Sequence, residues 1–234
     1  MSKTTVLLHG WGGSYAATWQ NIHWDERLKA EGYSVVGPNI MGHGVPNGPH
    51  DPQDYVAVAD DIEAQLGDAV GLNAIGYSLG AKILLELACR RPNRFRRLVI
   101  AAMGENAFKP LAASEAIASA MENGLPDNAS PGLSKLIAYT AEAGNDPLAM
   151  AACMRRPQDR PITPDRLRAV TMPIFVANGD QDFFVLPAEP LTESLQNACS
   201  RLYPGVDHFN LLTEKAFIAD TLAFLRSPDG RLHG

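Results

Sequence analysis

Cysteine and long apolar runs are scarce in this chain of 234 residues. Its three cysteines, Cys89, Cys153 and Cys199, lie far apart and form no Cys-x-x-Cys pair, which argues against zinc and thiol-redox sites. We expect each to be a small core filler in a reducing compartment. No stretch approaches the ~20 apolar residues that cross a bilayer, and no basic segment followed by an apolar run marks a leader. These absences predict a soluble, cytoplasmic protein with no membrane partner.

Positive charge is also in deficit, because 20 Lys and Arg stand against 26 Asp and Glu, for a net charge of −6. Nucleic acids and anionic membranes select basic patches, so we expect neither as the main partner. One basic cluster, formed by Arg90, Arg91, Arg94, Arg96 and Arg97, could hold a phosphate or a lipid headgroup. We interpret it instead as the solvated end of a helix.

Metal-binding motifs are missing as well. No His-x-x-x-His or His-Glu-x-x-His pair occurs, so we expect no metal site among His9, His23, His43, His50, His208 and His233. No repeat and no low-complexity tract is visible either, which sets aside solenoids and disordered linkers.

Strand and helix patterns alternate along most of the chain. We predict strands over residues 5–8, 34–36, 72–75, 97–102, 174–177 and 201–203. We predict helices over residues 18–30, 51–67 and 79–90. This alternation is typical of an α/β fold, here a mainly parallel sheet of about six strands flanked by helices. Ligands of such sheets bind at the carboxyl ends of the strands.

The stretch Gly76-Tyr77-Ser78-Leu79-Gly80 lies directly between a predicted strand and a predicted helix. A strand that turns at once into a helix strains the residue at the bend, and glycines two positions away let strand and helix pass closely. The serine hydroxyl is then held at the carboxyl end of the strand, where the first N–H groups of the helix suit an oxyanion. A plain glycine-rich turn is the alternative, but the position favours Ser78 as a nucleophile.

A second glycine-rich loop, His9-Gly10-Trp11-Gly12-Gly13, follows the first predicted strand. Its backbone can approach a ligand closely, and the N–H of Trp11 is the leading candidate for a second oxyanion donor. Such a loop could instead hold a phosphate. The dinucleotide fingerprint needs Gly-x-Gly-x-x-Gly at the start of a helix, and the spacing here differs, so we expect no nucleotide cofactor.

Residues 104–171 interrupt the alternation with short helical patterns over 114–122, 133–142 and 147–154. An insertion at the active-site end of a sheet would form a helical cap over a core made of residues 1–103 and 172–234. A separate small domain is the alternative, although the segment has few large apolar residues for a core of its own. Arg155 and Arg156 in this segment either face solvent or offer a cation to an acidic substrate.

The last third of the chain supplies carboxylates and a histidine. Asp180 and Asp182 follow the fifth predicted strand, and His208 follows the sixth. The order serine, acid, histidine is the one expected after a nucleophile elbow, with His208 taking the serine proton and a carboxylate orienting its imidazole. Asp180 is close to the strand and suited to a turn, whereas Glu105 follows the fourth strand. These two compete with Asp182 for the role of the acid.

Together these motifs resemble the α/β-hydrolase family, in its esterase and C–C hydrolase branch. The resemblance rests on the Gly-Tyr-Ser-Leu-Gly elbow, the His-Gly-Trp-Gly loop, a Gly-x-x-Asp after a late strand and a terminal Asp-His-Phe, from about residue 5 to residue 226. It implies a catalytic triad of Ser78, Asp182 and His208. It also implies that the backbone N–H groups of Trp11 and Leu79 bind the oxyanion.

The same resemblance implies substrate contacts from Trp11, Tyr77 and Phe209, and the motifs are similar to those of carboxylesterases that cleave pimeloyl esters. Two residues depart from the family pattern, because Asn39 stands where many relatives carry Asp and Ala81 where a second glycine often follows the elbow. The chain also starts at what would be the family's third strand, so we expect all six strands to be parallel.

We therefore expect a cofactor-free serine hydrolase whose partner is a small-molecule ester, with no metal. Hydrolysis of a C–C bond, a lactone or a peroxide would use the same residues, and a non-catalytic ligand-binding member of the fold is a third reading. The sequence does not name the acyl group, the alcohol or the oligomeric state.

Overall fold

The computed structural model describes residues 3–232. Its centre is one sheet of six parallel strands in the order β2-β1-β3-β4-β5-β6. This confirms the predicted six-stranded parallel sheet. The strands are β1 (Thr4–Leu8), β2 (Ser34–Val36), β3 (Leu72–Tyr77), β4 (Phe95–Ala101), β5 (Ile174–Gly179) and β6 (Ala198–Tyr203).

Helices occupy both faces of the sheet and much of the segment between β4 and β5. The α-helices are α1 (Trp24–Ala30), α2 (Val58–Leu66), α3 (Leu79–Arg90), α4 (Ser114–Asn123), α5 (Pro131–Glu142), α6 (Pro147–Arg155), α7 (Pro164–Leu167), α8 (Glu189–Glu193) and α9 (Lys215–Arg226). Single turns of 3₁₀-helix lie at Pro52–Tyr55, Pro92–Arg94, Glu105–Ala107 and Leu211–Thr213.

Successive strand residues point to opposite faces of the sheet, which divides the core into two apolar clusters. In β1, Val6 and Leu8 pack with α2 and α3 on one face, whereas Leu7 packs with α1 and α9 on the other. Helices α4, α5 and α6 place Ile117, Leu136 and Met150 in the same cluster as α3, so the segment between β4 and β5 shares the core of the sheet.

The predicted helix over residues 18–30 is wrong in its first half. A single turn of π-helix covers Ala16–Gln20, the chain then turns at residues 21–23, and α1 begins only at Trp24. Trp19 and Trp24 are both fully buried and contact each other edge to face at 5.8 Å. In one continuous helix, residues five apart would point about 140° away from each other. The break lets both rings enter the same core.

The basic cluster is not the solvated end of a helix throughout, since Arg94 and Arg97 are only 1% and 3% exposed. The guanidinium of Arg94 donates to the carbonyls of Ala69 and Glu63 at 3.0 and 3.1 Å. Arg97 donates to the carbonyl of Ser227. Both side chains therefore tie chain segments together through backbone acceptors.

Among residues 3–232, no helix is long and apolar enough to span a membrane.

Candidate active site

Ser78 occupies the bend between β3 and α3. Its backbone has φ 52° and ψ −116°, a conformation that residues other than glycine rarely adopt. The bend is held on both sides, because the N–H of Ser78 donates to the carbonyl of Ala101 at 2.9 Å and its own carbonyl accepts the N–H of Lys82 at 3.1 Å. Strand pairing and the first helical turn thus maintain the strained conformation.

The glycines around Ser78 are required by close backbone contacts. A Cβ at Gly76 would lie 2.6 Å from the Cα of Ala81 in α3, and one at Gly80 would lie 2.3 Å from the carbonyl oxygen of Leu8 in β1. These separations are below any normal Cβ contact. Glycines two residues before and two residues after Ser78 therefore let α3 pass closely over β3 and over the neighbouring strand β1.

His208 and Asp182 form a buried hydrogen-bonded pair. The Nδ1 atom of His208 lies 2.7 Å from the Oδ2 atom of Asp182, and the two residues are 8% and 1% exposed. The other carboxylate oxygen of Asp182 accepts the N–H of Phe184 at 3.1 Å. An ionised carboxylate only accepts, so Nδ1 carries the proton and Nε2 is left as the acceptor.

Aromatic side chains fix the position of His208. The hydroxyl of Tyr77 donates to the backbone carbonyl of His208 at 2.8 Å, and its ring lies 5.1 Å from the imidazole. Burial raises the pKa of Tyr77, so the hydroxyl keeps its proton and remains a donor. Phe184 and Phe209 contact the imidazole edge-on at 5.2 and 5.7 Å. Sequence reasoning placed Tyr77 only against substrate and missed this bond.

Neither competing carboxylate bonds to His208. Asp180 accepts the N–H of Gly205 at 2.7 Å, which ties two loops together, and Glu105 pairs with Lys109 at 2.8 Å. Of the two aromatic residues that follow Asp182, Phe183 is 71% exposed, whereas Phe184 turns inward and contacts the imidazole.

Two neighbouring cavities meet at Ser78. The small cavity, about 60 Å³, is walled mainly by apolar and aromatic groups, among them Trp11, Tyr77, Ser78, Phe184, His208 and Phe209. The large cavity, about 600 Å³, is more polar, and its wall includes Trp11, Ser78, Leu79, Lys82, Arg155 and Arg156. The structure thus brings together the residues predicted for the triad and for substrate contact.

The glycine-rich loop lies beside the elbow because β1 pairs with both β2 and β3, which makes this the point where the strand order reverses. Trp11 is 7% exposed, lines both cavities and donates its indole N–H to the carbonyl of Met150 at 3.2 Å. Leu79 is the first residue of α3, so its backbone N–H has no partner within the helix. The backbone N–H of Leu79 is therefore available beside Ser78, and Trp11 lies in the wall of the same cavities.

The segment between β4 and β5 is bonded directly to this loop. Asn145 donates to the carbonyl of Gly12 at 2.7 Å and accepts the N–H of Gly44 at 2.7 Å. The hydroxyls of Tyr139 and Thr18 lie 2.7 Å apart. Asn145 thereby joins the loops that follow β1 and β2.

The glycine-rich loop begins at a buried histidine, which contacts a second buried histidine that sequence reasoning did not connect with it. The rings of His9 and His43 are 5.3 Å apart. The Nε2 atom of His9 accepts the N–H of Ile40 at 3.1 Å, so its proton is on Nδ1, which donates to the carbonyl of Gly10 at 2.8 Å. Burial lowers the pKa of His9 to about 4 and that of His43 to about 3. Both imidazoles are neutral parts of the core.

Lys82 is the other residue whose position the sequence did not reveal. Its spacing from Glu86 and Arg90 puts it on the polar face of α3, yet it is partly buried and lines the large cavity, donating to the carbonyl of Asn106 at 3.3 Å. Burial, and next the nearby charge of Arg156, lower the pKa of Lys82 to about 8.

Within residues 3–232, no group of three or more His, Cys, Asp or Glu side chains could hold a metal ion. His233, which was part of the histidine count, lies outside the described residues.

Comparisons with known proteins find similar sequences and similar structures. A model of a family described as alpha/beta hydrolase matches residues 5–221. The chain is 21% identical over 250 residues to the pimeloyl-(acyl-carrier protein) methyl ester esterase of Nitrosospira multiformis, a match that covers 94% of each protein. It is 27% identical over 101 residues to an uncharacterized protein of Mycobacterium tuberculosis, covering 42% of this chain and only 28% of that protein.

Solved structures show the same fold. An esterase from Exiguobacterium antarcticum superposes with a TM-score of 0.74 at 18% identity, covering 96% of this chain and 92% of the other. A 2-hydroxy-6-oxo-6-phenylhexa-2,4-dienoate hydrolase from Rhodococcus superposes with a TM-score of 0.66 at 22% identity, covering 96% and 90%.

Proposed function

The chain belongs to the alpha/beta hydrolase family, and we propose that it is a cofactor-free serine hydrolase that cleaves small to medium carboxylic esters through an acyl-enzyme. The observation that carries the proposal is the buried pair of His208 and Asp182, in which His208 lines the same cavity as Ser78. A strained serine that shares a cavity wall with a carboxylate-oriented imidazole supports a function in nucleophilic acyl transfer.

In the proposed reaction, the Oγ atom of Ser78 attacks the ester carbonyl while Nε2 of His208 takes its proton. Asp182 keeps the imidazole in the required tautomer and stabilises the imidazolium that forms. The N–H groups of Trp11 and Leu79 bind the oxyanion. The imidazolium then gives its proton to the leaving alcohol, and a water molecule, deprotonated by His208, releases the acid from Ser78.

We also propose that residues 104–171 act as a cap on a core formed by residues 1–103 and 172–234. Apolar residues of this segment join the cluster that contains α3, and its side chains Leu136, Tyr139 and Met154 help to wall the small cavity. A cap in this position would exclude water from the acyl-enzyme and select the substrate.

Replacing the nucleophile tests the proposal. Ser78→Ala should lose labelling by a fluorophosphonate probe and reduce the hydrolysis of short methyl esters to near background, because no nucleophile remains to form the acyl-enzyme. Ser194→Ala is the matched control and should keep both activities, because Ser194 caps the C-terminus of α8 and lines neither cavity. Ester hydrolysis within a few-fold of wild type in Ser78→Ala would refute the proposed function. A vinylogous diketone in the substrate panel separates ester cleavage from C–C cleavage.

A further inference from the structure

The large cavity contains positive charge that the protein does not neutralise. Four cationic side chains line it, and two of them have carboxylate partners: Lys109 pairs with Glu105, and Arg155 is held by Glu115 and Glu122. The other two are Lys82 and Arg156. Throughout residues 3–232, no carboxylate lies within salt-bridge distance of either one.

Lys82 and Arg156 bond instead to backbone carbonyls. The ammonium of Lys82 donates to the carbonyl of Asn106, and the guanidinium of Arg156 donates to the carbonyl of Cys153 at 2.7 Å. Glu86 acts electrostatically on Lys82, but its carboxylate bonds to Arg90.

Leaving two like charges close together in a partly buried site is unfavourable. The lowered pKa of Lys82 reflects this, since burial and the charge of Arg156 both favour the neutral amine. A bound anion would offset both effects, because it would supply the missing opposite charge and accept charge-assisted hydrogen bonds. The arrangement is therefore that of an anion site.

The position of His208 indicates which half of an ester would reach this site. The leaving alcohol must take its proton from His208, which lines the small cavity but not the large one. The alcohol therefore belongs in the small cavity, whose 60 Å³ accommodate roughly the equivalent of five water molecules. The acyl group then extends into the large cavity, past Leu79 and towards Lys82.

We propose that Lys82 and Arg156 bind a carboxylate at the far end of the acyl chain, so that the substrate is the ester of a small alcohol with a dicarboxylic acid. This inference rests on the proposed esterase function and names its substrate class. Lys82 follows Ser78 by one helical turn, about 6 Å along the axis of α3, and its long side chain extends the reach further. A chain of several carbons between the two carbonyl groups fits that separation, and activity should peak at an intermediate length.

Paired methyl esters test the inference directly. Release of methanol is measured for monomethyl esters of straight-chain diacids and for methyl esters of monoacids with the same chain length. Wild type should favour the anionic ester, and Lys82→Met or Arg156→Met should lower the ratio of the two kcat/KM values by roughly 10- to 100-fold, the effect of losing a hydrogen bond to a charged group.

Lys109→Met is the matched control, because Lys109 lines the same cavity but is exposed and already paired with Glu105. It should change the ratio by less than about two-fold. Wild-type preference for the anionic ester should also decline as pH rises through about 8, where Lys82 loses its charge, and this decline should be absent in Lys82→Met.

Binding of the free diacid to the inactive Ser78→Ala protein, measured by calorimetry, adds a readout that needs no turnover. Binding that is weakened by Lys82→Met in this background supports the subsite. The inference is wrong if neither Lys82→Met nor Arg156→Met changes the ratio, or if the rate on the neutral ester falls in parallel. If wild type hydrolyses no ester while the diacid still binds through Lys82, the subsite stands and the esterase function fails.

Discussion

Acid should destabilise this protein through His9 and His43. Both side chains are at most 2% exposed, and burial holds their pKa values at about 4 and about 3 in the folded state. Protonation of His9 would also convert the Nε2 acceptor into a donor facing the N–H of Ile40. In the unfolded chain both histidines are solvated, so they bind protons near the ordinary histidine pKa of about 6.5.

The magnitude follows from this difference in proton binding. Between pH 6.5 and pH 4 the unfolded state binds more protons than the folded state, so the free energy of unfolding falls as pH falls. Lowering the pH from 7 to 5 should remove about 2 kcal/mol for each histidine, or about 4 kcal/mol for the pair. Domains are typically stable by about 5–15 kcal/mol, so the loss is a large fraction of the total.

Urea unfolding at pH 7, 6 and 5 measures this loss. His43→Asn should reduce the difference in unfolding free energy between pH 7 and pH 5 by about 2 kcal/mol. Any constant effect of the substitution on packing cancels in that difference. His23→Asn is the matched control, because His23 is exposed and its left-handed backbone suits asparagine. The reasoning is refuted if His43→Asn loses as much stability on acidification as wild type.

Two further predictions concern the acid and the elbow. Asp182→Asn should lower kcat by several orders of magnitude with little effect on folding, whereas Asp180→Asn and Glu105→Gln should stay near wild type; collapse of either of these two would move the acid away from Asp182. Gly80→Ala should lower the free energy of unfolding by about 3 kcal/mol or more, because its Cβ would lie 2.3 Å from a carbonyl oxygen of β1. Gly67→Ala meets no atom within 4 Å, so only its strained backbone should count, at about 1–3 kcal/mol; a loss in urea unfolding larger than that of Gly80→Ala would contradict this explanation.

The parts of the structure that sequence predicted are those set by local pattern. The sheet follows from short apolar runs that alternate with helical periods, and each run needs only its own residues to be identified. The bend at Ser78 follows from glycines at fixed offsets, because the helix must cross its own strand within a few residues.

The parts that sequence missed depend on contacts between distant segments. Trp19 and Trp24 break a helix that local propensity favours, because both rings are needed in one core. Arg94 belongs to a basic cluster in the sequence, which predicts a solvated side chain. Only the fold brings the carbonyls of residues 63 and 69 within hydrogen-bonding distance of it. Lys82 lies on the polar face of α3, and only the packing of residues 104–171 over that face turns a surface lysine into a cavity wall.

The bonds from Asn145 to the loops after β1 and β2 have a consequence for recombining this protein with its relatives. Residues 104–171 cannot be exchanged as an independent module, since one amide side chain in that segment positions Gly12, next to the proposed oxyanion donor Trp11. A chimera that carries this segment from a relative would also replace the side chain that bonds to the glycine-rich loop. Substrate range and catalytic rate would then change together, unless the graft keeps an asparagine at this position.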